Sequence, residues 1–451
     1  MYEFLHGIAA LVLLAYTAEF LFSLSDDPRE PPRVRPTIPL IGHVLGIMRG
    51  GPTYYTETGN STSAEMHSLG IFNYKIYVST SSRLLPMIQK QSKSLSFRPF
   101  LQITARKHGD ASDKTYEIYG GDLTYHLSHA VRTSLAPGPH LDEQNLRMGK
   151  RVLIEIDDLL NRGGPFEARN IHLLEWKRHL VVQASSCGVY GDQHPLLDPK
   201  GMAEITAHLA GLDIFGKRHE QRKVVYDAYT KYCRELPNDG SELAREHKRV
   251  IREAGVDELD YAKQASLFTI TVFSNTAPTF YWTVWEVFSR PGILAEIRDE
   301  RPSEGVMSTL AFRKVMTDTM LDGRYLLKAG NFIQMPGHLI HSDTSLWEEK
   351  GAAALPPSGF VAWGAPPHLC PARQFATVEV LIATALLVVR PDLQPHGDAW
   401  DKFPALNYKD LSTLLNPRKD VCISVGVSDN WVGKWSLEMG ESRSRVPLAS
   451  G

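Results

Sequence analysis

The sequence predicts a mainly α-helical protein with a small β lobe, built as one large domain behind an N-terminal apolar helix. Three observations predict this fold class. An apolar helix at residues 374–389 follows a Gly- and Pro-rich loop that contains Cys370. Residues 259–288 form a long run with few charges, which is typical of a helix buried on most sides. Residues 313–334 alternate around Asp322-Gly323, which favours short β-hairpins.

Length and composition narrow the classes of function. The 451 residues show no linker-like change of composition after residue 50, so one large domain is predicted. The formal net charge of -2 argues against a nucleic-acid partner, because binding such a partner needs a basic excess. The cysteines lie far apart without CxxC spacing, so we expect neither a zinc site nor a disulfide framework. They are Cys187, Cys233, Cys370 and Cys422.

The N-terminal residues form an apolar run of about the length that a membrane-spanning helix needs, roughly 20 residues. Glu19 lies near one end of the run, where we expect it to extend toward the lipid headgroups. Arg29, Arg33 and Arg35 follow the run while no Lys or Arg precedes it, which favours a cytosolic location for the rest of the chain. We therefore predict a single-pass anchor. A cleaved signal peptide and a buried soluble helix are the alternatives.

The chain is then divided by composition and by helix breakers. The predicted segments are a membrane anchor at 1–25, a proline-rich hinge at 26–50, a catalytic domain at 51–440 and a tail at 441–451. The four prolines between residues 31 and 39 cannot continue a helix and favour stiff, extended backbone. A strand is expected near residues 70–78 and a helix near residues 84–91. Residues 120–255 predict several helices separated by Gly and Pro breaks.

Cys370 lies at the predicted N-terminus of the last long helix. Pro371 occupies a first-turn position, and apolar residues follow at helical spacing. There the sulfur faces unpaired N–H groups and the positive end of the helix dipole, which favour thiolate over thiol. An iron porphyrin that activates oxygen needs such a ligand, because an axial thiolate pushes electron density onto the iron. The alternative is a small buried hydrophobic residue, as most free cysteines are.

The helix predicted at residues 259–288 contains a proline at which it must open. Pro278 has no N–H, so the helix loses one i to i−4 hydrogen bond there. A helix opened in this way leaves a gap in its backbone hydrogen bonds, and Asn275, Thr276 and Thr279 are the polar groups available there. The alternative is an ordinary kinked core helix whose hydroxyls are satisfied locally.

The loop around Cys370 resembles the heme-ligand loop of the cytochrome P-450 superfamily. That loop has Phe or Trp seven residues before the cysteine and a basic residue two before it, as Trp363 and His368 are here. The Trp-Gly-Ala and Cys-Pro-x-Arg-x-Phe-Ala runs are similar to the branch of sterol 7-hydroxylases, prostacyclin synthase and related fungal secondary-metabolism enzymes. Two positions differ, since Pro366 and Ala372 stand where the family usually has Gly.

The resemblance implies heme b, iron protoporphyrin IX, as the cofactor, with the cysteine sulfur as the ligand of its iron. The cofactor-binding residues that it implies are Cys370, His368, Arg313 and Trp363, of which His368 and Arg313 bind propionates. On the oxygen side the family relays protons through an acid and a Thr. This chain has Asn275 in place of the acid, beside Thr276 and Thr279.

Two features of the family are missing from the sequence. The family carries Glu-x-x-Arg on a helix before its hairpins, but residues 300–307, which separate the matching segments here, contain no such run. The Phe/Pro/Arg meander before the cysteine loop is also missing. The runs 242–245 and 246–249 have the Glu-x-x-Arg spacing, yet they precede the buried helix and are interpreted as i, i+3 surface pairs. The predicted P-450 fold is therefore incomplete.

The resemblance implies a monooxygenase of the endoplasmic reticulum membrane with its catalytic domain in the cytosol. It would take electrons from an NADPH-cytochrome reductase and insert one oxygen atom into an apolar small molecule, such as a sterol, a terpenoid or another secondary metabolite. Because the acid of the proton relay is missing, a reductase-independent heme isomerase or dehydratase is a second hypothesis. Because the ion-pair helix is missing, a degenerate, non-catalytic heme- or lipid-binding membrane protein is a third.

Overall fold

The computed structural model describes residues 2–161, 169–197, 219–235, 237, 239–298, 310–337, 340, 363–365, 368–396, 400, 402–407, 414–427, 433–438 and 440. The helices within these ranges are α1 (Tyr2–Leu24), α2 (Gly42–Gly50), α3 (Pro52–Asn60), α4 (Leu85–Lys90), α5 (Arg98–Lys107), α6 (Asp113–Gly120), α7 (Leu123–Ser134), α8 (Pro139–Asn161), α9 (Leu173–Tyr190), α10 (His219–Glu235), α11 (Glu242–Glu253), α12 (Glu258–Phe273), α13 (Thr276–Phe288), α14 (Pro291–Arg298) and α15 (Arg373–Val389). The strands are β1 (Arg33–Val34), β2 (Met66–Ile71), β3 (Tyr74–Ser79), β4 (Leu95–Ser96), β5 (Arg169–His172), β6 (Leu310–Val315), β7 (Thr319–Leu321), β8 (Tyr325–Leu327), β9 (Phe332–Pro336), β10 (Gly364–Ala365), β11 (His368–Leu369), β12 (Pro391–Pro395) and β13 (Cys422–Val427).

The chain forms two compact units. The first comprises Met1–Pro99, Met307–Cys370 and Pro447–Gly451, and the second comprises Phe100–Val306 and Pro371–Val446. Most of the strands lie in the first unit and most of the helices in the second. The prediction of a mainly α-helical protein with a small β lobe is therefore confirmed.

A six-stranded sheet in the order β1-β2-β3-β9-β6-β4 forms the framework of the first unit. Strands β2 and β3 pair as an antiparallel hairpin, β3 and β9 are parallel, and β9 and β6 are antiparallel. Side chains alternate between the two faces of a strand, so Met66 and Tyr77 pack with α4 while Leu69 and Val78 pack with Tyr55 of α3. The sheet is covered on both faces.

Two turns of this unit show what the sequence did and did not reveal. The predicted hairpin β7–β8 forms, and Asp322 and Gly323 both adopt positive φ angles, 56° and 65°. The single strand expected near residues 70–78 is wrong, because β2 and β3 are separate strands joined by a turn. Phe72 has φ 53° in that turn, a conformation that a bulky residue rarely adopts and that its identity therefore does not signal.

A network of charged side chains holds α1 to the first unit. Glu19 of α1 accepts a hydrogen bond from the N–H of Leu40 at 2.9 Å and lies 3.5 Å from the Arg33 guanidinium. Arg33 in turn contacts Asp26 at 2.7 Å, and Lys75 of β3 contacts Asp26 at the same distance. Burial raises the pKa of Asp26, but the hydrogen bonds from Arg33 and Lys75 outweigh burial and hold that pKa below its ordinary value.

Two predictions about the N-terminal segment are corrected by these observations. The apolar run does form one helix, α1, of 23 residues. In the part of the chain that the structure describes, however, no helix has the combination of length and apolarity needed to cross a bilayer, so the spanning anchor is not supported. Glu19 was expected to extend toward lipid headgroups, and this is wrong, because N–H donors of the same unit bind its carboxylate.

Four helices, α8, α9, α13 and α15, pack together in the second unit, beside the three-stranded sheet β12-β13-β5. Gly188 allows α9 to approach both of its neighbours closely. A Cβ atom there would lie 3.0 Å from Cβ of Met148 on α8 and 3.1 Å from the Phe375 ring on α15. The carboxylate of Asp420 accepts the N–H groups of Leu174 and Glu175 at 2.6 and 3.0 Å, which caps the first turn of α9. These contacts fix α9 within the bundle.

Candidate functional site

Cys370 directly follows a short hairpin of the first unit. Strands β10 and β11 pair antiparallel, with Gly364 opposite Leu369. The N–H of Cys370 donates to the carbonyl of Trp363 at 2.7 Å, which closes the hairpin at its base. The side chain of Cys370 is half-buried. Trp363, His368 and Cys370 thus belong to one closed hairpin.

The last long helix begins shortly after this hairpin. It starts at Arg373, one residue before the predicted start, and its N-cap residue Ala372 makes no side-chain hydrogen bond to the first turn. Alanine carries no oxygen that could accept a first-turn N–H. The long helix predicted to follow Cys370 in sequence is therefore present, but the prediction that Pro371 lies in its first turn is wrong, because Pro371 precedes the N-cap.

Arg313 is a buried cation on β6, the strand of the same unit that β10 approaches. The residue is only 6% exposed, its guanidinium donates to the Phe312 carbonyl at 2.7 Å, and its centre lies 5.8 Å from the Phe97 ring centroid. Burial lowers the pKa of Arg313 to about 10. An anionic group bound near this guanidinium would offset part of the cost of burying the charge.

The three candidate oxygen-side residues come together in the second unit, where the long predicted helix opens. Helix α12 ends at Phe273, Asn275 is the N-cap of the next helix, and α13 begins at Thr276. Pro278 cannot donate to the carbonyl of Ser274, so the break lies where the missing N–H requires it. The prediction of an opened helix is confirmed.

Both threonine hydroxyls at this break bond to the helix backbone. Thr276 Oγ1 donates to the Val272 carbonyl at 3.0 Å, and Thr279 Oγ1 donates to the Asn275 carbonyl at 2.8 Å. Thr276 is buried, whereas Asn275 is exposed. These are the local bonds expected of a kinked core helix. A role of the hydroxyls in proton transfer stays a prediction and requires rotation away from these carbonyls.

Two buried ionisable residues of the helix bundle were not identified from the sequence. Glu379 of α15 is 1% exposed, and the Ser185 hydroxyl lies within hydrogen-bond distance of its two carboxyl oxygens, at 2.9 and 2.7 Å. Burial raises the pKa of Glu379 to about 8, although the Ser185 hydrogen bond lowers it in part. Lys177 of α9 is completely buried beside α13. The sequence did contain a signal for Glu379, because Glu379 is the single acidic residue in the otherwise mostly apolar sequence of α15.

Some predicted features fall outside the described residues. These are Pro366, the segment 300–307 and the side chain of His368, although the backbone of His368 lies on β11. The two runs with Glu-x-x-Arg spacing are described. Arg245 contacts Glu242 at 3.1 Å and Arg249 contacts Glu246 at 2.8 Å, both as i, i+3 pairs on α11, so their interpretation as surface pairs is confirmed.

Comparison with known proteins decides the family. No protein-family model matches the chain. It is 27% identical to the cytochrome P450 monooxygenase nodJ of Hypoxylon pulicicidum over 98% of each chain. It is 24% identical to a cytochrome P450 monooxygenase of Gibberella zeae over 88% of this chain and 87% of that protein. The solved structure of cytochrome P450EX alpha (CYP152N1), wild-type with myristic acid, has the same fold, with a TM-score of 0.68 at 14% identity over 88% of this chain and 99% of that chain.

The chain belongs to the cytochrome P450 superfamily. This P450 is an enzyme of the monooxygenase class, and its cofactor is heme. The described residues fit that group: a half-buried cysteine ends a closed hairpin, and Arg313 supplies a buried positive charge on the neighbouring strand for an anionic substituent. The branch of sterol 7-hydroxylases and prostacyclin synthase stays a prediction.

Proposed function

We propose that this P450 oxidises an apolar small molecule, such as a sterol, a terpenoid or another secondary metabolite, with electrons from an NADPH-cytochrome reductase. Bound heme supplies the activation of dioxygen. Cys370 would bind its iron through the sulfur, and Arg313 and His368 would bind its propionates. The observation that carries the proposal is the hairpin closed between Cys370 and Trp363, from which the chain continues into the last long helix, α15.

The oxygen-side residues would contribute polar groups to the same reaction. Asn275 is exposed at the break, so its amide can donate or accept a hydrogen bond. Thr276 and Thr279 can hold or pass a proton when their hydroxyls turn from the backbone carbonyls that they now contact. We assign no acid to this relay, because the run from Ser274 to Thr279 contains none.

Cys370→Ser is expected to abolish the red-shifted Soret band of the reduced carbon monoxide complex. The band requires a thiolate on the iron, and a serine hydroxyl does not replace it. The measurement is a difference spectrum of the purified, heme-loaded protein. Cys422→Ser is the matched control, because Cys422 is also half-buried but lies on β13, and this variant should keep the band. Retention of the band in Cys370→Ser would show that another residue binds the iron.

A reductase-independent isomerase or dehydratase is the second candidate, and the missing acid at the helix break favours it. Turnover of a sterol and terpenoid panel, with and without NADPH and reductase, separates the two reactions. A product that carries an added oxygen atom and forms only when NADPH is present supports the monooxygenase reaction. Conversion without NADPH supports the isomerase or dehydratase.

We also propose that the protein works at the cytosolic face of the endoplasmic reticulum membrane, with α1 embedded in the lipid surface. The support is a set of exposed apolar side chains on this helix, with Leu13 and Phe20 exposed by 68% and 60%. Because the charged network fixes α1 to the first unit, the exposed apolar side chains of α1 keep a fixed arrangement in which they can contact lipid. An apolar side chain of this size contributes about 1.5–3 kcal/mol when fully buried.

The double variant Leu13→Glu/Phe20→Glu is expected to float with phosphatidylcholine vesicles at least about tenfold less than the wild type. The control is Leu259→Glu, which changes a 55% exposed leucine on α12. The measurement is sucrose-gradient flotation of the full chain. Equal flotation of the double variant and the wild type would exclude α1 as the lipid contact.

A further inference from the structure

Lys177 is a completely buried lysine of the helix bundle in the second unit. Its Nζ donates to the carbonyl of Ala277 at 2.6 Å and lies 3.4 Å from Oδ1 of Asn416. The same atom is 4.7 Å from the centroid of the Tyr281 ring, which is a cation–π distance. Lys177 is on α9, while Ala277 and Tyr281 are on α13. The ammonium therefore joins these two helices.

Burying a positive charge at this position costs free energy. An ammonium loses its hydration when it is buried, and groups such as the Ala277 carbonyl must offset that loss. Ala277 also lies in the first turn of α13, where the helix dipole places partial positive charge. A residue chosen only to stabilise the interface between α9 and α13 would be apolar. Departures of this kind from local physical rules are expected mainly at functional sites.

The carbonyl that Lys177 binds lies inside the break between α12 and α13. Ala277 directly follows Thr276 and directly precedes Pro278, whose missing N–H opens the helix. Across the break, Thr276 Oγ1 bonds back to the Val272 carbonyl on α12. The Lys177 bond is a tie from a different helix. It fixes the height and rotation of the first turn of α13, and with it the positions of Asn275 and Thr276.

We propose that Lys177 is a positioning residue for the oxygen-side groups of this P450. It acts through the Ala277 carbonyl, and it holds Asn275 and Thr276 in one orientation although the helix is interrupted beside them. The proposal rests on the proposed function, because it takes Asn275 and Thr276 as the oxygen-side groups of the reaction. The hydrogen bond between Lys177 and the Ala277 carbonyl also leads to a prediction about backbone dynamics that can be tested without measuring turnover.

Lys177→Met keeps the length and apolar stem of the side chain but removes the donor and the charge. We expect amide hydrogen exchange of the heme-loaded protein to accelerate by about tenfold or more in the segment 274–280, because the first turn of α13 loses its external tie. Exchange in α8 and α15 should stay unchanged. The control Lys150→Met makes the same substitution at an exposed position of α8 and should leave the segment 274–280 as in the wild type.

A second readout separates positioning from a purely structural role. The infrared stretching frequency of carbon monoxide on the reduced heme reports the polar groups on the oxygen side. Lys177→Met should shift or broaden this band, while the Soret band keeps its thiolate position because Cys370 is untouched. Lys177→Gln retains an N–H donor, so we expect it to restore part of the protection and a narrower band.

The outcomes decide the proposal. If Lys177→Met folds and both exchange in the segment 274–280 and the carbon monoxide band match the wild type, the proposal is overturned. If Lys177→Met does not fold, Lys177→Gln gives the decision, because it removes the charge and shortens the side chain that reaches the Ala277 carbonyl. Exchange that is faster than in the wild type only in the segment 274–280 supports the proposal, and unchanged exchange overturns it. A wild-type protein without the thiolate Soret band would instead refute the proposed function, and the exchange result would stand on its own.

Discussion

Glu379→Gln is expected to remove the loss of stability that the Glu379 carboxyl itself causes as the pH rises from about 5 to about 8. Glu379 lies fully buried on α15, where burial raises its pKa to about 8. The Ser185 hydroxyl of α9 lies within hydrogen-bond distance of both carboxyl oxygens, at 2.9 and 2.7 Å, and its hydrogen bond offsets burial only in part. Glutamine has nearly the same shape and carries no titrating proton.

The sign follows from proton binding in the two states. The folded protein keeps the Glu379 proton up to about pH 8, whereas the unfolded chain releases it near 4.5. Between these values the folded state binds the Glu379 proton and the unfolded chain does not, so the contribution of Glu379 to the free energy of unfolding falls as the pH rises, by at most about 1.4 kcal/mol per pH unit. The contribution of the neutral carboxyl is complete below about pH 4.5 and is lost by about pH 8.

Urea unfolding of the heme-loaded protein at several pH values between 5 and 8.5 measures this effect. The wild type and Glu379→Gln should agree near pH 5 and separate steadily above it, with the variant the more stable. Glu143→Gln, at an exposed position of α8, is the control and should follow the wild type. Parallel curves for the wild type and Glu379→Gln would mean that the buried carboxyl does not hold its proton in the folded state.

Glu30→Ala is expected to destabilise the first unit by about 3 kcal/mol. The Glu30 side chain is only 4% exposed, and Lys75 Nζ lies 2.7 Å from its carboxylate. The Tyr77 hydroxyl also donates to this carboxylate, at 2.6 Å. Removing the carboxylate leaves a buried hydroxyl and a largely buried ammonium with fewer acceptors. Asp26 still contacts Lys75, so the effect should lie at the lower end of the range for broken buried pairs.

The measurement is thermal and urea unfolding of Glu30→Ala beside Glu57→Ala. Glu57 is an exposed residue of α3 in the same unit, and its substitution should change the free energy of unfolding by less than about 0.5 kcal/mol. We also expect faster proteolysis in the proline-rich segment 26–40 of Glu30→Ala, because Glu30 links this segment to β3. Equal unfolding of the two variants would contradict an important role of the network in stability.

The sequence predicted the structure best at positions where one residue type determines the backbone conformation. Pro278 cannot donate a backbone hydrogen bond, and the helix opens at Ser274 and Asn275. Asp322-Gly323 tolerates positive φ, and the hairpin β7–β8 turns there. The family resemblance named Trp363, His368 and Cys370 from their spacing, but it did not predict the hairpin to which they belong.

Contacts between polar residues that lie far apart in the sequence could not be predicted from the sequence. Glu19 reads as an interruption of an apolar helix until Arg33 and the Leu40 N–H are placed beside it. Lys177 looks like an ordinary helix lysine, because no pattern along α9 reveals that a carbonyl of α13 receives its ammonium. Glu379 stood out as an acid among apolar residues, but its proton depends on the burial that the bundle creates.

The contacts of α9 have a consequence for protein engineering. One helix donates to α13 through Lys177 and to α15 through Ser185, and Gly188 lets it lie close against its neighbours. Chimeras made to alter substrate selectivity should therefore transfer α9, α13 and α15 as one cassette. Crossovers that take α9 from one parent and either partner helix from another should yield far fewer folded proteins than crossovers placed outside this trio.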